Sequence, residues 1–132
     1  MNPQTALNHV ALLNRSVENA NKFYRDLLNL DQLYENTISA DLAFKIFGIK
    51  RQMAITVFGN DSFRIEIFIV DESPKPSLSV NHLCLEVENR QAFVNRCREL
   101  GVEINTIRRD TRDLIFIRDF DGNLFEIKEK LH

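Results

Sequence analysis

The chain has 132 residues, 44% of them hydrophobic and 27% charged, with a formal net charge of −2. That is the size and balance of one globular domain able to hold a core without disulfide staples, with no electrostatic reason to expect nucleic acid or an anionic membrane as partner. No apolar run approaches the roughly 20 residues a membrane helix needs, no basic-then-apolar leader opens the chain, and Cys84 and Cys97 do not form a secreted disulfide pattern, so a cytoplasmic protein with reduced thiols is expected.

In chain order, residues 7–13 alternate as a strand, and Ser16 is placed to cap the helix that follows. Val17, Ala20, Phe23, Tyr24, Leu27 and Leu28 recur at helical spacing, and Asn29 suits the left-handed residue that ends such a helix. Strands are expected near Gln32–Thr37, Arg51–Val57 and Phe63–Val70, with Gly59-Asn60-Asp61 as a hairpin signal and Ile38–Lys50 as extra connecting chain without an assigned structure. Asp71 to Ser77, with two prolines, reads as a solvated linker. The pattern then repeats. A strand opens at Asn81-His82, Asn89 caps a helix whose stripe is Phe93, Cys97 and Leu100, and Gly101 stops it. Strands are expected near Glu103–Ile107, Leu114–Arg118 and Leu124–Lys128, with Asp121-Gly122 at the last turn. The offset from Asn29 to Gly101 matches that from His9 to His82 within one residue, so the halves are in register. One domain, 1–132, is expected as a tandem βαβββ repeat: module one about 5–72, linker about 73–79, module two about 80–130.

Chemistry-bearing residues repeat with the scaffold. His9 and His82 each follow an asparagine at the head of the first strand of a half. Glu66 and Glu126 each lie on the last, in Ile65-Glu66-Ile67 and Phe125-Glu126-Ile127. Two imidazoles and two carboxylates make a full ligand set for one divalent ion. Strand parity agrees: Ile65 and Ile67, Phe125 and Ile127, and Leu83, Leu85 and Val87 all oppose the candidate ligands of their strands. The apolar face is therefore expected on the helices and the ligand face toward a polar cavity, with Cys84 and Glu86 lining it. Arg64, Arg118 and Lys128 read as surface charges.

Four segments resemble the vicinal oxygen chelate superfamily, which includes glyoxalase I, bleomycin resistance proteins, extradiol dioxygenases and fosfomycin-resistance proteins. They are Asn8-His9-Val10-Ala11-Leu12, Phe23-Tyr24-Arg25-Asp26-Leu27-Leu28, Asn81-His82-Leu83-Cys84-Leu85-Glu86-Val87, and the run from Ile117 through Asp119-Phe120-Asp121-Gly122-Asn123 to Ile127. The resemblance covers nearly the whole chain. Asn29 stands where the family usually has glycine, and Phe120 where its turn usually has proline.

The resemblance implies an α+β fold whose tandem modules form a curved, mostly antiparallel eight-stranded sheet around a metal-binding cavity. It implies His9, Glu66, His82 and Glu126 as ligands of one divalent metal ion per site (Ni, Zn, Co or Mn), a small-molecule substrate with adjacent oxygens, and a homodimer. The first-module carboxylate Glu66 points to a glyoxalase I-like (lactoylglutathione lyase-like) isomerase or epimerase, acting through a metal-chelated enediolate with Glu126 or Glu66 as the base. Leu13 replaces an arginine that usually contacts glutathione, which sets the glutathione contacts apart from the metal set. The alternatives are a non-catalytic small-molecule binding or resistance protein, and a fosfomycin-type enzyme or dioxygenase of the same fold.

Overall fold

A computed structural model describes residues 4–72 and 78–131. The first half contains β1 (Val10–Asn14), α1 (Val17–Ala20) running into a wider π-type turn of helix (Asn21–Leu27), β2 (Asp31–Ile38), α2 (Ala40–Phe47), β3 (Met53–Gly59) and β4 (Arg64–Ile69). The second contains β5 (Leu83–Val87), α3 (Arg90–Leu100), β6 (Glu103–Ile107), β7 (Leu114–Arg118) and β8 (Leu124–Glu129). The tandem repeat is present as two four-stranded mixed sheets, ordered β1-β4-β3-β2 and β5-β8-β7-β6. In each, first and last strands pair in parallel while the remaining neighbours are antiparallel. Most of the linker, residues 73–77, lies outside the described residues.

The end signals act locally. The Ser16 and Asn89 side chains accept the Asn19 and Ala92 N–H groups, satisfying donors at the open helix starts. Asn29 takes φ 58° and Gly101 φ 73°, the left-handed geometry that terminates a helix. At the hairpin, Asn60 Oδ1 accepts from Ser62 and Phe63 N–H. A Cβ at Gly59 would stand 2.7 Å from the Phe63 carbonyl oxygen, so only glycine fits there.

Residues 40–47, within the stretch left unassigned, form a helix. Ser39 caps α2 by accepting from Leu42 N–H, and Gly48 closes it at φ 73°. Leu42, Phe44, Ile46 and Phe47 stay exposed while Ala43 is buried; the apolar residues cover one broad arc of the helix, and Asp41 and Lys45 pair on its narrow polar side. β3 also begins two residues later than expected, because Lys50 to Gln52 are used to leave that helix.

One core serves both halves. Phe23, Tyr24 and Leu27 from the first helix, Phe58, Ile65 and Ile67 from the first sheet, Phe93, Val94 and Cys97 from α3, and Ile115, Ile117, Phe125 and Ile127 from the second sheet form one buried cluster. The Phe23 ring lies 5.4 Å from Phe125, and Tyr24 stacks at 5.7 Å on Phe58, so adjacent residues of one helix grip the two sheets. This bears out the apolar-face part of the parity argument, since Ile65, Ile67, Phe125 and Ile127 are all buried on the helix side. On the opposite face of the first sheet, where a polar cavity is expected, α2 packs through Ala43 against Ile38, Met53 and Phe68.

Burial pushes the Cys97 thiol up to about 11, while Cys84 is exposed. Cys97 should therefore stay a protonated, packed thiol at neutral pH. Titration with a chromogenic disulfide reagent at pH 8 should detect one thiol in the native protein and two in guanidinium. Two fast thiols in the native state would contradict the packing around α3.

Candidate metal centre

The register of each parallel pair positions its donors identically. In the first sheet Ala11 lies opposite Glu66, and in the second Cys84 lies opposite Glu126. Each histidine stands two residues before that partner, hence on the same face, just ahead of the paired part of its strand. The result is His9 Nε2 at 3.4 Å from Glu66 Oε1, and His82 Nε2 at 3.9 Å from Glu126 Oε1. The histidine side chains are 39% and 38% exposed and their glutamates 24% and 16%, so each pair has a shielded carboxylate and an imidazole open to an incoming group.

The other ring nitrogens define what the pairs can bind. His82 Nδ1 is 2.8 Å from the Val80 carbonyl oxygen, which can only accept, so Nδ1 carries the hydrogen. His9 Nδ1 meets the Asn8 amide oxygen at 2.7 Å in the same sense. Nε2 is then the ring nitrogen left to face the carboxylate. Both separations exceed the ~2.7–3.2 Å of a good N–H···O bond. Two donors bound at ~2.0–2.2 Å and about 90–110° apart would stand roughly 3.0–3.5 Å from each other. The first pair meets that spacing and the second is slightly wider. A histidine held at Nδ1 by an acceptor, with Nε2 beside a carboxylate, is the usual support of a metal-binding imidazole. The donor set fits a divalent ion.

The four donors do not meet within one chain. Among the described residues there is no group of three or more His, Cys, Asp or Glu side chains able to hold a metal. The four residues stand instead as two equivalent histidine–glutamate pairs, each a candidate half-site. β1 and β5, the strands next to the histidines, are both edge strands rather than central ones. Each edge leaves unpaired backbone groups beside its half-site.

A polar latch that sequence reasoning treated only as a turn motif fixes the far end of β1. Asp119 is buried, and its Oδ2 accepts from Tyr24 OH at 2.6 Å, Asn14 Nδ2 at 3.0 Å and Asn123 Nδ2 at 2.8 Å. Its Oδ1 accepts the Asp121 and Asn123 N–H groups, both at 2.9 Å. Asp121 in turn accepts the Arg15 N–H at 3.0 Å, and Asn123 donates to the Leu13 carbonyl at 2.9 Å. The last turn of module two thus holds the strand that follows His9. Burial, then the Asp119 charge and hydrogen bond, pushes the Tyr24 phenol far up, so it remains a donor. The signal available was the polar Asp119 to Asn123 turn together with Asn14 in an otherwise apolar strand. Only the fold joins them.

A second feature beyond the sequence reading lies beside the first half-site. Ala11, Leu12, Leu13, Phe47, Ile49, Met53 and Phe68 line a pocket of about 170 Å³. No helix among the described residues is long and apolar enough to cross a membrane.

Residues 6–127 match the glyoxalase family, described as the Glyoxalase/Bleomycin resistance protein/Dioxygenase superfamily. A glyoxalase family protein from Enterococcus faecalis is similar at 25% identity and TM-score 0.72, over 92% of this chain and 95% of that one. A glyoxalase family protein from Bacillus cereus shares 21% identity at TM-score 0.74, over 99% and 97%. The fosfomycin resistance protein FosX from Listeria monocytogenes shares 19% identity at TM-score 0.72, over 98% and 96%. A variant of that protein was crystallised with Mn(II) and 1S,2S-dihydroxypropylphosphonic acid. No curated protein matches.

Proposed function

Since the chain belongs to the glyoxalase/bleomycin resistance protein/dioxygenase superfamily, we propose that it is a divalent-metal-dependent isomerase or epimerase of the glyoxalase I type. In this reading His9, Glu66, His82 and Glu126 hold one ion per site, the substrate is a small molecule with adjacent oxygens, and a homodimer completes each site from the His9–Glu66 half of one chain and the His82–Glu126 half of its partner. The observation that carries it is the twin half-site: the same histidine-to-carboxylate placement occurs in both sheets, with both Nδ1 atoms facing an oxygen acceptor.

Two neutral imidazoles and two carboxylates balance the charge of a divalent ion. Bound there, the ion would supply electrophilic polarisation of the substrate oxygens, acidifying the adjacent C–H. The chain's own contribution is a carboxylate at the reacting carbon. Glu126 or Glu66 takes the proton from one carbon and returns it to the next, or to the opposite face, for isomerisation or epimerisation respectively. The partial shielding of both carboxylates restricts the water that would compete for that proton. The Val80 carbonyl and the Asn8 side chain keep the imidazoles aimed at the shared centre.

Elemental analysis tests this directly. Protein produced with Mn, Co, Ni and Zn in the medium should carry about one equivalent of one of them per chain. Less than about half an equivalent, without uptake on addition, would instead support a non-catalytic small-molecule binder.

A further inference from the structure

We infer that the apolar pocket beside the first half-site receives an uncharged phenyl-sized or branched-alkyl group of the substrate, so that the substrate class is a compound whose adjacent oxygens carry an apolar substituent beside them. This rests on the proposed metal site and deepens it.

The pocket shares a face with the donors. Ala11 and Leu13 follow His9 at alternate positions, Phe68 follows Glu66, and Ala11 lies opposite Glu66. One alternation along a strand is about 6.6 Å, so a group attached next to two chelating oxygens reaches the pocket without leaving the sheet surface. Met53 and Phe68 form a buried floor, while Leu13, Phe47 and Ile49 are 36–50% exposed and form an open mouth. Among the described residues no charged side chain lines it. A volume of about 170 Å³ is near that of apolar cavities known to take a benzene-sized guest, roughly 150 Å³.

The wall is specific to this half. α2 packs across the ligand face of the first sheet through Ala43, against Ile38, Met53 and Phe68. In the second half the corresponding connection, from β6 to β7, is the charged run Arg108-Arg109-Asp110-Thr111-Arg112-Asp113, with no helix. A carboxylate or phosphonate entering the pocket would lose its hydration with no partner to replace it, whereas an apolar group gains by leaving water.

Two measurements test this. Methyl-¹³C methionine labelling reports on Met1 and Met53, the two methionines in the chain. Toluene added to metal-free protein should shift the Met53 methyl saturably. In metal-loaded protein, benzohydroxamate should bind about 10-fold or more tightly than acetohydroxamate by calorimetry, since both chelate through the same two oxygens. Leu13→Arg at the exposed mouth should remove that preference while keeping metal content and acetohydroxamate affinity. An unmoved Met53 signal, or equal affinity for the two hydroxamates in metal-loaded protein, overturns the pocket assignment. So does a Leu13→Arg protein that changes oligomeric state, which would give the pocket to a second copy. A protein that shifts Met53 with toluene but binds no metal would sink the metal reading instead, and with it the substrate class.

Discussion

His9→Ala and His82→Ala proteins, each purified alone, should hold less than about a tenth of the wild-type metal, and mixing them should restore it in part. Each variant keeps one intact half-site type and destroys the other. In a heterodimer with sites built across chains, one site receives His82–Glu126 from the first variant and His9–Glu66 from the second, and is whole. The other site lacks both histidines. With random exchange about half the dimers are mixed, so metal should return to roughly a quarter of the wild-type level, with activity following. This expectation uses the finding that the two donor pairs do not converge within the described residues of one chain. No recovery after subunit exchange verified by mass spectrometry would rule out sites shared between chains. Full metal in either variant alone would remove that histidine from the ligand set. Loss of one of four donors is expected to weaken binding by orders of magnitude because the remaining three leave the ion's charge and geometry unmet.

The second large effect is structural. Asp119→Ala should destabilise the fold by about 2–5 kcal/mol, since it leaves the buried Tyr24 hydroxyl without its acceptor at roughly 1–3 kcal/mol. It also removes the bonds from Asn14, which keeps the Leu13 carbonyl, and from the Asp121 and Asn123 N–H groups, at about 0.5–1.5 kcal/mol each. The urea midpoint should fall by roughly 1–2.5 M at a slope of about 2 kcal/mol/M, usual for a domain of this size. Asp121→Ala, which removes only more exposed contacts to Arg15 and Asn19, should cost about 1 kcal/mol or less. Equal effects from the two would mean that the latch is not centred on Asp119. Alkaline pH probes the same site. The folded Tyr24 phenol is raised above its unfolded value, so its contribution is complete below about pH 10 and declines as pH rises beyond it. Tyr24→Phe should flatten that decline in urea midpoints measured between pH 9 and 11.

The fold was legible because the local signals were strong and duplicated. Ser16, Asn29, Asn89 and Gly101 act at helix ends through their own backbone and nearest turn, so the sequence contains the whole interaction. α2 was missed for the opposite reason. Its apolar residues cover a broad arc, with only Asp41 and Lys45 on the polar side, and eight residues give barely two turns over which a period can be read. The latch was missed because Asn14, Tyr24 and Asp119 are distant in the chain, and nothing local about a tyrosine in a helix reveals that its hydroxyl meets a carboxylate from the other half.

By itself the sequence determined the duplicated βαβββ order, the apolar faces of the strands and the repeated placing of a histidine and a glutamate in each half, since strand alternation and capping act over a few residues. Only the tertiary structure decided that β1 and β5 are edges, that the donors gather as two pairs, and that one pair borders an apolar pocket. Sheet order and the packing of one half on the other depend on the shape of the shared core. Side chains far apart along the chain meet there, and no local pattern records their meeting.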